Sequence, residues 1–156
     1  MATKQGMGIN HYNQNFNKKW GIYMLIYKKK FASSFETVDI VVREIIEKLL
    51  EYEVLNINSL LFRISFMLRE LLNNSVEHGN HFDETKSIVC EITYLENILE
   101  FIITDEGDGV VLPSHNSSED ALSERYRGIS TIIKLGFELE FKASRVEVKY
   151  DLTRIL

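Results

Sequence analysis

Two runs of alternating apolar and polar residues, joined by only two residues, constrain this chain more than any other feature. Ile88, Cys90, Ile92 and Tyr94 fall on one face, Glu91 and Thr93 on the other, and Glu96-Asn97 leads straight into Ile98–Thr104. A period of two marks strands with one buried face, and so short a connection permits only antiparallel pairing. Residues 137–141 and 146–152 repeat the pattern near the end and predict a second hairpin. Before both, IYMLIYKKKF at residues 22–31 reads as another strand, and its three successive lysines assign it to a sheet edge.

Between these runs the period becomes helical. Val38, Val41, Val42, Ile45, Leu49 and Tyr52 recur on one face with Glu44, Glu47, Lys48 and Glu51 between them. Ser33 and Glu36 stand at capping-box spacing ahead of this helix. Asn58 is the expected cap of a second helix carrying Leu61, Ile64, Leu68, Leu71 and Ser75, with Gly79 stopping it in the left-handed conformation. A short third helix (Ile129, Ile132, Ile133, Leu135) opens at Arg127-Gly128 and ends at Gly136. The polar stretch before it, residues 113–125, holds the only proline and is long for a plain connection, hence a functional or partly disordered loop. This order predicts an α+β chain: a two-layer α/β sandwich with a mixed, mostly antiparallel sheet and its helices on one face. Residues 1–21, rich in Asn, Gln, Lys and Gly, read as a poorly ordered tail before a single domain at 22–156.

Composition narrows the classes. A length of 156 residues suits one domain with a full core, and 45% hydrophobic with 26% charged residues excludes wholesale disorder. The single cysteine, Cys90, excludes an intramolecular disulfide and a cysteine-cluster zinc site, and its alternating context predicts a buried, inert thiol. The apolar run at residues 22–27 is too short for a signal core or a membrane span, so a cytoplasmic protein without membrane contact is expected. A net charge of −5 argues against direct nucleic-acid binding.

Three short motifs carry candidate chemistry. In ELLNNSVEHGN, Glu70, Asn74 and His78 are spaced by four on the second helix, off its apolar stripe. A carboxylate there can take a proton from a hydroxyl, and an amide oxygen suits hydrated Mg2+. Asp105-Glu106-Gly107-Asp108-Gly109 follows a strand; its glycines permit close backbone approach, and Asp105 can accept from an exocyclic amine. Arg127-Gly128-Ile129-Ser130 reads as a helix start whose N–H groups would hold an anion. Each motif alone more often means a solvated helix face, a turn or an ordinary helix start. His78 and His81 as a pair are more often structural than metal-binding.

In this order the three motifs resemble the histidine-kinase-like ATPase (GHKL, Bergerat-fold) superfamily, over about residues 23–152. The resemblance implies ATP and Mg2+ as cofactors, Glu70 as general base and Asn74 as Mg2+ ligand. It places Asp105 on the adenine amine, with Gly107 and Gly109 around the nucleotide. Residues 113–125 fall where the family has a mobile lid, and Arg127, Gly128 and Ser130 at its second glycine motif. The small size and the His78-Gly79 pair look most like bacterial anti-sigma-factor serine/threonine protein kinases. Such kinases phosphorylate a serine on a STAS-type antagonist and otherwise sequester a sigma factor or another regulator, often as homodimers. Serine at 130, where the motif has glycine, and Ala143-Ser144-Arg145, where the family has a Gly-Thr pair, are the features behind an alternative. That alternative is a nucleotide-binding regulatory module that sequesters a partner without turnover.

Overall fold

The computed structural model describes residues 23–109 and 119–155. The expected tail at 1–21 and the first part of the expected lid, through residue 118, lie outside the described residues. Five strands, β1 (Tyr23–Ala32), β2 (Ser87–Leu95), β3 (Ile98–Thr104), β4 (Glu138–Lys142) and β5 (Arg145–Asp151), form one sheet in the order β1-β2-β3-β5-β4. Every pairing among them is antiparallel. The lysine-rich β1 lies at an edge, as its sequence requires. Leu95 pairs with Ile98, so the β2–β3 connection is the two-residue turn Glu96-Asn97, with φ of 49° and 69°. Two positive φ values in succession give the turn whose twist matches the strands it joins.

Helices α1 (Phe35–Leu50), α2 (Asn58–Asn74) and α3 (Glu119–Lys134) complete the second layer. The core lies between layers: Ile88, Cys90 and Ile92 of β2, Leu99, Phe101 and Ile103 of β3 and Val148 of β5 meet Val41, Ile45, Ile64 and Leu68 from α1 and α2, all buried. Burial pushes the Cys90 thiol up to about 12, so it is inert at neutral pH. At the edge, Tyr27 and Lys29 share the Glu44 carboxylate of α1 at 2.9 and 2.8 Å.

Four local expectations are corrected. The α1 cap is Ser34, whose hydroxyl accepts from Thr37 N at 3.2 Å; Ser33 is fully buried against Lys86 O. Asn58 is the first residue of α2, and the cap position is Ile57, without a side-chain bond. Gly79 does not stop α2 by turning left-handed. The helix widens instead into a π-helical turn, Ser75–Gly79, and positive φ falls on His81 and Phe82. The predicted left-handed stop occurs only at Gly136 (φ 99°), after α3. Finally, α3 spans 16 residues from Glu119, so the short helix opening at Arg127 is in fact the second half of a longer one.

Candidate functional site

Helix α2 and the hairpin β2–β3 bring the first two motifs together. Asn74 ends α2 and leads into the π-helical turn holding His78, while Asp105 follows the last residue of β3. A π turn inside a helix shifts side-chain direction and is common at functional positions. Asn74, His78, Gly79, Asp105 and Gly109 line one cleft together with Ala143 and Ser144 of the β4–β5 turn and Arg125 of α3. Asp105 N donates to Ser144 O at 3.0 Å, and the Asp105 Oδ1 accepts from Gly107 N at 2.9 Å.

Glycine is required here by contact. A Cβ on Gly79 would lie 2.2 Å from Asp105 Oδ2, and one on Gly107 would lie 2.2 Å from the Gly79 carbonyl oxygen. Gly109, at φ 97°, tucks under the Ala143 backbone, where a Cβ would meet carbonyl carbon at 2.8 Å. The departure from a Gly-Thr pair therefore lines the same cleft as Asp105.

The third motif is elsewhere. Gly128 lies inside α3, so the helix-start N–H groups expected at Arg127-Gly128-Ile129-Ser130 are not there; these residues are in the second half of the helix. Helices α2 and α3 run antiparallel, with Gly128 beside Glu70 and Leu135 beside Arg63, whose guanidinium donates to Leu135 O at 3.4 Å. A Cβ on Gly128 would lie 2.2 Å from Glu70 Oε2. Glu70, Arg127 and Gly128 thus share a separate depression with Phe66 and Thr131, and Ser130 is exposed on α3. The described part of the expected lid, residues 119–125, is helical.

Charges converge on the cleft. Burial first, and then the Arg125 guanidinium, hold His78 below its ordinary range, leaving a neutral imidazole at pH 7. Burial likewise lowers Arg125, while the Asp105 carboxylate acts in the opposite direction. Arg125 Nε is buried without a hydrogen-bond partner. The cleft encloses about 30 Å³, space for a water or two. No group of three or more potential metal-holding His, Cys, Asp or Glu occurs among the described residues.

Two residues that sequence reasoning passed over hold the Asp105 loop. Asn80, fully buried, donates to Ser87 O at 3.1 Å and accepts from Glu106 N at 2.9 Å. The Glu106 carboxylate in turn accepts from Ser87 N and Oγ, and these bonds hold it below the ordinary carboxylate range. The available signal was a polar side chain directly after a helix-ending glycine.

The histidine kinase-like ATPase domain family matches residues 31–150, and the chain belongs to that family. Its α+β architecture, with a five-stranded antiparallel sheet and three helices, agrees with that assignment. No curated protein matches the chain. Among the described residues no helix is long and apolar enough to cross a membrane.

The donor set suits Mg2+·ATP chemically. Asp105 is an acceptor held by Gly107 N–H with Gly79 packed against its carboxylate, and Asn74 adds a neutral oxygen to the same cleft. A purine requires more room than these 30 Å³, and Arg125 is one of the side chains that line the cleft.

Proposed function

We propose that this chain is an ATP-binding serine/threonine protein kinase of the anti-sigma-factor, partner-switching type. The observation that supports it best is the convergence of Asn74, Asp105 and the contact-restricted Gly79 and Gly109 on one cleft of a histidine kinase-like ATPase domain. In this reading Asp105 accepts from the adenine amine, and its bond to Gly107 N keeps the carboxylate from rotating. Asn74 holds Mg2+ through its amide oxygen and the metal's waters. Bound Mg2+·ATP supplies the transferable phosphoryl group and the positive charge that offsets its oxygens. Glu70, one turn before Asn74 on α2, takes the proton from the acceptor hydroxyl. The acceptor is a serine on a STAS-type antagonist, and a sigma factor or another regulator is the protein held in between, by a homodimer of this chain.

Transfer of labelled phosphate to a co-expressed antagonist tests the proposal. Glu70→Gln keeps the side-chain shape but cannot take the proton, so transfer should fall about 10²–10⁴-fold with ATP affinity near wild type. Normal transfer by Glu70→Gln overturns the general-base role.

A second reading, a nucleotide-binding module that sequesters its partner without turnover, draws on a specific observation. Glu70 and Gly128 sit in a depression apart from the cleft of Asn74 and Asp105, and Gly128 is inside a helix. ATP binding without transfer, unrelieved by Ser130→Gly, would favour this reading.

A further inference from the structure

We infer that Asn80, acting with Glu106, is a positioning residue that sets base selectivity by fixing the Asp105 carboxylate. The inference rests on the nucleotide reading of the cleft. Asn80 has no exposed surface, yet it carries a primary amide, a group that is costly to bury unless all its polar atoms are engaged. Its partners leave one orientation only. The Ser87 carbonyl can only accept, so it faces Nδ2, and the Glu106 N–H can only donate, so it faces Oδ1. The Asn80 backbone is committed as well, its N–H donating at 2.7 Å to Ser75 O, where the π-helical turn closes.

These bonds tie the start of β2, the end of α2 and the loop after β3 at one point. Glu106, next to Asp105, is held twice: its backbone by Asn80 and its carboxylate by Ser87 N and Oγ. Gly79, next to Asn80, backs the Asp105 carboxylate and the Gly107 backbone from the other side. The Gly79-Asn80 pair therefore supplies both the wall behind the carboxylate and the strap on its neighbour. Neither Asn80 nor Glu106 lines the cleft itself, so any effect they have on a base passes through Asp105.

Adenine presents an amine where guanine presents a carbonyl oxygen, so the preference for ATP over GTP reports where the Asp105 carboxylate stands. Global destabilisation lowers both affinities alike and leaves their ratio unchanged. Calorimetry on the full chain with ATP and GTP, in Mg2+, should show wild type preferring ATP. Asn80→Asp removes the donor to Ser87 O and should reduce that preference about tenfold, the worth of roughly one hydrogen bond. Glu106→Ala, at an exposed side chain, should reduce it about threefold, and it keeps the test decisive if Asn80→Asp does not fold. A wild type that selects ATP beside a folded variant set with the same ATP-to-GTP ratio overturns the clamp alone. A wild type that binds neither nucleotide overturns the clamp together with the reading it rests on.

Discussion

Gly79 and Gly107 are both excluded from carrying a Cβ, but the atoms in the way differ, and so should the consequences. Against Gly79 stands the Asp105 carboxylate, which can move only by giving up its bond to Gly107 N; against Gly107 stands the Gly79 backbone carbonyl, which has no such freedom. Gly79→Ala should therefore leave thermal stability closer to wild type than Gly107→Ala, whose overpacking costs about 1–3 kcal/mol. Both should lose ATP affinity, because each displaces the acceptor or its loop. Asp105→Asn gives the reference: loss of a charged hydrogen bond costs about 1.5–3 kcal/mol, roughly ten- to a hundredfold by calorimetry. Equal ATP affinity for Asp105→Asn and wild type would remove the adenine-reading role. The same residues show how far sequence reaches at this scale. The presence of glycine at 79 was legible and its reason was not. A left-handed helix stop and a close approach from a loop 26 residues away demand the same residue type, and only the fold brings Asp105 to it. Asn80 was missed for the same reason, since the Glu106 N–H that its side chain accepts from is 26 residues away.

At the level of elements, strands announced themselves better than helix ends. A period of two with a two-residue turn leaves one topology, so β2, β3 and their antiparallel register could be read directly. Helix α3 could not. Its first half, EDALSER, lacks an apolar stripe and follows the only proline at close range, so the pattern begins only at Ile129 although the helix begins at Glu119. The error matters because the observed start places Gly128 in a helix interior, without the helix-start N–H groups on which the phosphate expectation relied. It also concealed Arg125, which α3 carries into the cleft beside Asp105. A guanidinium that lines the cleft with the acceptor would compete with the adenine amine, and a cleft of about 30 Å³ must widen before a base can enter. If the open form is a minor one, at about 10% or less, apparent affinity is reduced by that fraction. Arg125→Ala should then bind ATP roughly tenfold more tightly than wild type in calorimetry. Weaker binding would mean that the guanidinium serves the bound nucleotide instead of excluding it.

For the whole molecule, the sheet and α2 are one packed unit, so a ligand held between α2 and the β3 loop must couple to global stability. Asn74 ends α2, whose Ile64, Met67 and Leu68 are completely buried, and Asp105 directly follows β3, whose Phe101 is completely buried. Unfolding the core disperses both, and a ligand that binds only the folded chain stabilises it by mass action. At a hundred times its dissociation constant the gain is about 2.7 kcal/mol, which in a chain of this size raises the melting temperature by roughly 5–10 °C. The two contacts are separable because they address different parts of the ligand. Adenosine, which lacks phosphates, should stabilise through Asp105 alone, and its shift should not respond to a chelator. ATP should stabilise more with Mg2+ than with a chelator present, the difference being the contribution that Asn74 makes through the metal. Asn74→Ala should therefore erase the chelator-sensitive part while leaving the adenosine shift intact. Asp105→Asn should do the reverse, losing the adenosine shift and retaining a dependence on Mg2+. Thermal melts of the three proteins under the three ligand conditions decide it: a chelator effect of wild-type size in Asn74→Ala would remove Asn74 from the metal, whatever Asp105 does.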